Sequence, residues 1–158
     1  MANEWLIRPA RRQELDEVVG LWKDLMDLTA EVNVHYRLRA GAVDYQRNIF
    51  EEYLRREDSY ILVGLRNDQV IAFSNGYLTM PAKTFVQSPL GVLENLFVVA
   101  AHRRQGYGQA LAEAAIRWLA NLGAAEIFVN VIPKNIGSLK FWRAMGFDVQ
   151  RLAMIRQP

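Results

Sequence analysis

The sequence predicts an α/β fold of the α+β kind: one domain built on a mixed, mostly antiparallel central sheet flanked by helices. Three observations carry this prediction. Apolar β-type runs and amphipathic helical runs follow in the order β-α-α-β-β-β-α-β-α-β. The pair Asn67-Asp68 sits between two apolar runs, the mark of a tight hairpin. Between Val92 and Leu122, an apolar run, a basic glycine turn and a long amphipathic stretch come in direct succession.

Each element has its own signal. Trp5-Leu6-Ile7-Arg8 reads as a first strand stopped by Pro9. Leu15, Val18, Val19, Trp22, Leu25, Met26 and Thr29 then share one helical face, with Glu14, Asp16 and Glu17 at the end where the helix dipole favours acids. Ala30 to Gly41 breaks that pattern. A second helix over Ala42 to Arg56 turns Tyr45, Ile49, Phe50 and Tyr53 inward. Tyr60–Val63 and Val70–Phe73 form the hairpin, its second strand extending toward Met80, and Pro81 to Pro89 is a loop. Gly91 to Val99 is a buried strand. The next helix buries Tyr107, Ala110, Leu111, Ala114, Ala115, Trp118, Leu119 and Leu122. Ile127 to Ile132 is a strand ended by Pro133, and Asn135 caps a helix through Met145 that Gly146 stops. Phe147 to Arg156 is expected to be a last strand.

Composition narrows the function classes. The chain has 158 residues, 51% of them hydrophobic and 23% charged, as in ordinary soluble domains. No apolar run reaches membrane-spanning length, and Met-Ala-Asn-Glu-Trp does not read as a secretory signal, so a cytoplasmic location without membrane partners is expected. With no cysteine, thiolate catalysis, disulfides and thiolate metal sites are excluded. His35 and His102 are too isolated to suggest a metal site. The net charge of +2 is spread over scattered residues and short pairs, without the basic helix or aromatic platform of a nucleic-acid binder.

The turn His102-Arg103-Arg104-Gln105-Gly106-Tyr107-Gly108 carries the functional signal. The first N–H groups of a helix lack partners and sit in positive potential, so a strand, glycine turn and helix start together make an anion site. Gly106 and Gly108 let the backbone close on a phosphate, and Arg103 and Arg104 are expected to add mobile positive charge at the rim. The Gly-Lys-Ser/Thr of a nucleotide P-loop is missing. So is the third glycine of the dinucleotide fingerprint, where Ala110 or Leu111 stands instead. The remaining reading is a pyrophosphate cradle whose donors are the amides from Arg104 through Gln109, including those of Gln105 and Tyr107.

Arg103-x-x-Gly106-x-Gly108 between strand and helix resembles the signature of the GNAT superfamily of acetyl-CoA-dependent N-acetyltransferases. A second stretch, Asn135-x-x-Ser138-x-x-Phe141-Trp142-x-x-Met145-Gly146-Phe147, is similar to that family's Asn-x-x-Ala-x-x-Phe-Tyr-x-x-Leu-Gly-Phe. With the element order, the resemblance covers essentially the whole chain, 1–158, as a single N-acetyltransferase domain. It implies a GNAT-like sheet whose strands splay to admit the pantetheine arm of acetyl-CoA beside Phe97, Val98 and Val99. It also implies cofactor contacts from Asn135, Ser138 and Phe141, and no metal. The acetyl acceptor would be a primary amine, on a small molecule or on a protein, and a homodimer through the C-terminal strand is plausible.

Glu94 is the informative acid, since a carboxylate among apolar strand residues is costly to bury without a partner. It is either one half of a strand-edge salt bridge or a general base whose pKa partial burial raises toward the useful range. The resemblance favours the base. Strand alternation sends Asn95 to the opposite face. The Val98 amide is the expected donor to the developing oxyanion. Trp142 departs from the family's tyrosine, and an indole cannot deliver a proton. The leaving thiolate then takes its proton from water, from the amine, or from another hydroxyl such as Tyr107 or Tyr77. Trp142 itself reads as a packing residue.

Substrate contacts are expected from the stretch Asp27 to Arg37, with Asp27, Glu31, His35 and Tyr36, from the outer strand around Ser74, Asn75 and Tyr77, and from the Pro81–Pro89 loop. The mechanism would be direct attack in a ternary complex, because no cysteine or serine triad offers an acyl carrier. A non-catalytic acyl-CoA sensor of the same fold is the alternative.

Overall fold

The computed structural model describes residues 5–84 and 88–158. In chain order they form β1 (Trp5–Pro9), α1 (Leu15–Val32), α2 (Ala42–Tyr53), β2 (Ser59–Arg66), β3 (Gln69–Thr79), β4 (Leu90–Val98), α3 (Tyr107–Asn121), β5 (Glu126–Val129) and α4 (Ile136–Ala144). The five strands lie in sequence order across one sheet. β1 to β4 pair antiparallel, whereas β5 runs parallel to β4 after the crossover through α3. Asn67 and Asp68 both have positive φ, 50° and 62°, which suits a two-residue hairpin turn between twisted strands.

Alternation along the strands sorts the core into two halves. Ile61, Val63, Leu65, Phe73 and Phe97 face α1 and α2, meeting Leu15, Val18, Trp22, Phe50 and Tyr53. Tyr60, Leu62, Ala72, Leu93 and Val98 face the other way, onto Leu111, Ala115 and Leu119 of α3 and Trp142 of α4. β3 and β4 are therefore covered on both sides. Their polar residues must find partners inside the protein or line a cavity.

The helices and hairpin match the expected periodicity, with two corrections. Tyr45 is 63% exposed, not inward, because α2 packs on the sheet through Phe50 and Tyr53. Phe147 to Arg156 forms no strand. Its apolar residues Val149, Leu152, Met154 and Ile155 do not alternate cleanly and are exposed. β5 next to it is only four residues long. Phe147 still anchors on Trp142, and Arg151 lies over the Phe128 ring. Beyond these contacts the segment pairs with no strand of the sheet.

Glu14 ties β1 to the start of α1. It is 8% exposed. Its carboxylate takes both terminal nitrogens of Arg8 and the Arg11 amide, the last at 2.7 Å. The Arg8 guanidinium holds its carboxyl below the ordinary value of 4.5. A carboxyl that titrates lower when folded stabilises the fold above its unfolded value, and that contribution is lost as pH falls through the folded one. Glu14→Gln should cost about 2 kcal/mol at pH 7 in urea unfolding, with the gap to the parent closing below about pH 4. An equal gap at pH 7 and pH 3 would contradict this assignment.

Candidate active site

A bulge in β4 creates the site. The register passes from Asn75 opposite Asn95 to Gly76 opposite Leu93, so Glu94 is an extra residue without a partner. Glu94 and Asn95 consequently turn to the same face, against the expectation from simple alternation. Asn75, fully buried, joins them. Its Nδ2 donates to Glu94 Oε2 at 2.6 Å, and its Oδ1 accepts from Asn95 Nδ2 at 3.0 Å. The Tyr53 hydroxyl donates to the same Glu94 Oε2 at 3.1 Å. Burial first, and then the Glu94 carboxylate, push the Tyr53 hydroxyl pKa well above its ordinary value, so Tyr53 stays a donor. Across the bulge, a Cβ on Gly76 would lie 2.1 Å from the Val92 carbonyl oxygen, and only glycine fits.

Two expectations about this acid change. Glu94 is exposed to solvent rather than partly buried. It also has no cationic partner among the described residues, so no strand-edge ion pair occupies it. Oε2 carries both hydrogen bonds, and Oε1 is left without a partner among the described residues.

Glu94 opens into a cavity of about 440 Å³ lined by Tyr53, Arg56, Asp58, Tyr77, Leu78, Thr79, Met80 and Glu94. Of the predicted substrate residues, Tyr77 alone lines it. Ser74 is buried on the opposite face, where its hydroxyl donates to the Asn95 carbonyl at 2.9 Å. Asp27 is paired with Lys23 at 2.5 Å on an exposed helix face. Glu31, His35 and Tyr36 are exposed and outside the lining, the latter two in a 3-10 turn that Asn33 caps. Residues 85–87 of the predicted Pro81–Pro89 loop lie outside the described residues.

The second half of the site is backbone. β4 pairs with β5 only from Leu90 to Leu93, and residues 94–98 have no β5 partner. In an antiparallel ladder both backbone groups of a residue point the same way, and successive residues alternate. The Val99 amide donates to the Ile71 carbonyl at 2.9 Å, so Val99 and Phe97 face β3 while Leu96 and Val98 face the open edge. Val99 is thus occupied, its carbonyl also accepting from His102 at 2.9 Å. Phe97 and Val99 were expected to pair with a pantetheine arm; parity assigns that capacity to Leu96 and Val98 instead.

The glycine turn continues from this edge. The first bond of α3 runs from the Ala110 amide to the Gly106 carbonyl at 3.0 Å. The N–H groups of residues 104–109 donate to no acceptor among the described residues. Arg104 and Gly106 have positive φ, 62° and 85°, which turns these donors onto one concave side. Arg103 is not a mobile rim charge. Its Nε donates to the Val98 carbonyl at 2.8 Å, and its guanidinium lies 5.2 Å from the Phe97 ring centroid. Arg104 alone remains exposed without a side-chain partner among the described residues. The Gln105 side chain meets Arg66, Gln109 meets Glu113, and Tyr107 stacks on Trp5 with centroids 4.3 Å apart. Those three residues offer backbone only.

From the other side, Asn135 caps α4 by accepting from the Ser138 amide at 3.0 Å. The Phe141 ring faces Gly108, whose added Cβ would sit 3.7 Å from it and 3.8 Å from Val98. Trp142 is buried against Phe141 and Phe147, as its packing reading requires. Of the alternative hydroxyls, Tyr77 shares the cavity with Glu94 and Tyr107 does not. The donor set fits a coenzyme tail: a row of amides for a pyrophosphate, then an open strand edge for an amide-bearing arm.

An open mixed sheet with an acid on its bulged strand and an anion cradle behind it matches the arrangement that the glycine-turn resemblance implies. The chain belongs to the acetyltransferase (GNAT) family, which matches residues 22–147. Among curated proteins it is 36% identical over 61 residues to the aminoglycoside N(6')-acetyltransferase type 1 of Salmonella typhimurium. That match covers 39% of this chain and 42% of the relative, so the chain spans about two-fifths of that relative's length. Among solved structures it resembles the aminoglycoside N-acetyltransferase AAC(6')-Iy in complex with CoA, at TM-score 0.81 and 23% identity over 99% of this chain and 97% of that one. A tetramutant of the BH1408 protein from Bacillus halodurans is similar at TM-score 0.86 and 21% identity, over 97% and 99% of the two chains.

Three features escaped the sequence reading. Leu96 needed strand parity, which no residue type encodes. Arg56 and Asp58 needed the cavity. Tyr53 had a signal, since a tyrosine on a buried helical face requires a partner for its hydroxyl.

The two cradle glycines should respond differently to added bulk. Gly106→Ala strains a left-handed position by about 1–2 kcal/mol. Gly108→Ala meets ordinary contacts and should fold normally, whereas Gly108→Trp should abolish CoA binding in calorimetry. Unchanged CoA affinity in folded Gly108→Trp would remove the cradle from the account.

Proposed function

We propose that the protein is a cytoplasmic N-acetyltransferase, acting as one domain, that transfers an acetyl group from acetyl-CoA to the primary amine of a small molecule. One observation supports this most: a carboxylate oxygen without a partner among the described residues and two outward-facing amides lie within five residues of one strand, beside a row of helix-start amides that donate to no described residue.

Acetyl-CoA supplies an activated acyl group as a thioester. The amides of residues 104–109 hold its pyrophosphate, and the Val98 amide meets the pantetheine arm. Strand rise is about 3.3 Å per residue, so Leu96 lies nearer to Glu94 than Val98 does. We therefore move the oxyanion donor from Val98 to Leu96. Glu94 Oε1 takes a proton from the incoming ammonium. The amine nitrogen then bonds to the acyl carbon and the carbon–sulfur bond breaks, with the thiolate protonated by water, by the amine or by Tyr77. Asn75 and Tyr53 fix the carboxylate through Oε2 and keep Oε1 turned to the cavity. Positioning of the two reactants supplies most of the acceleration, an effect worth up to about 7–11 kcal/mol in well-aligned systems.

The test is thiol release from acetyl-CoA across an amine panel that includes a lysine peptide. Glu94→Gln should lower kcat/KM by roughly a hundredfold to ten-thousandfold while leaving CoA affinity within twofold. CoA binding without thiol release for any amine would instead identify an acyl-CoA sensor.

A further inference from the structure

We infer that the acceptor is a monocationic amine with a compact apolar or aromatic body, and that Arg56 excludes polycations from the cavity. The inference rests on the acetyltransferase reading and names its substrate class. Two acids line the cavity, and only one is available. Asp58 is held by Arg56 in a two-point pair, Nε at 2.7 Å and Nη2 at 2.9 Å. Glu94 has no cationic partner among the described residues, so a single ammonium completes it. Arg56 also lies over the Tyr53 ring, 5.8 Å from its centroid, which fixes a positive charge in the wall beside the acid.

A second ammonium entering this space would lose water without gaining a carboxylate and would meet Arg56 as a like charge. Outside the lining, Glu52 and Glu57 are exposed acids close in sequence to the Arg56–Asp58 pair, and residues 33–41 carry Arg37 and Arg39 and no acid. From Ser59 to Leu93 the one acid is Asp68, in the hairpin turn at the far end of β3. Beside its polar groups, Thr79 among them, the cavity offers apolar surface on Tyr77, Leu78 and Met80. An aryl or alkyl body removes that surface from water while its ammonium sits at Glu94.

The experiment compares kcat/KM by thiol release for 2-phenylethylamine, spermidine and neamine at 0.15 M salt. The monoamine should exceed both polycations at least tenfold. Arg56→Gln, which frees Asp58, should raise the spermidine-to-monoamine ratio at least fivefold. Asp58→Asn, which leaves Arg56 unneutralised, should lower that ratio, giving a second variant of opposite sign. Equal or better use of spermidine or neamine by the parent protein overturns the inference and leaves the acetyltransferase reading standing. So does a ratio that moves with neither variant. Absence of release for every amine in the panel overturns both.

Discussion

β4 is hydrogen-bonded along its whole length on one side and for only four residues on the other. Beyond Leu93 the chain of β5 has turned away, and the Leu96 backbone groups and the Val98 amide face a gap, the Val98 carbonyl being taken by Arg103. Backbone donors at the centre of a sheet are not normally left without acceptors, because each one buried unpaired costs of the order of 1–3 kcal/mol. The gap is tolerable because it is open to whatever can pair with it. Directly after it comes a turn whose six amides also lack acceptors among the described residues. Strand edge and helix start form one continuous run of donors, and the rest of the site is arranged around it.

The bulge at Glu94 links that run to the chemistry. One added residue in β4 places two polar side chains on the same face and resets the parity of all that follows, so that Leu96 and Val98 face outward. Asn75 reads the result: its amide can donate to Glu94 only because Asn95 holds its oxygen the other way round. On the opposite face Ser74 fastens the Asn95 carbonyl, and Tyr60 lies within 3.3 Å of the Ser74 hydroxyl. The position of the acid is thus determined from both halves of the core. Gly76 is the cost of this arrangement, being the one residue that fits opposite the bulge.

Much of this was legible in residue order. The hairpin at Asn67-Asp68, the cap at Asn135, the stop at Gly146 and the glycine turn each depend on local backbone chemistry, which nearest neighbours in sequence determine. The importance of Glu94 was legible for a related reason, since an acid in an apolar strand calls for a purpose. Its surroundings were not. Alternation misplaced Asn95 because a bulge is a property of two strands together. Ser74 and Asp27 looked available because nothing in sequence shows which face is covered or which lysine lies one helical turn away. The last strand failed for want of a partner ladder, although its composition suited one.

The central claim is that the Leu96 and Val98 amides, together with those of residues 104–109, accept the coenzyme. Residue-resolved hydrogen exchange with and without CoA addresses it directly. The account predicts at least tenfold slower exchange on CoA addition at Leu96, Val98 and the helix-start amides, with little change at Phe97 and Val99, which β3 already protects. Slowed exchange at Phe97 and Val99 with Leu96 and Val98 unaffected would contradict it.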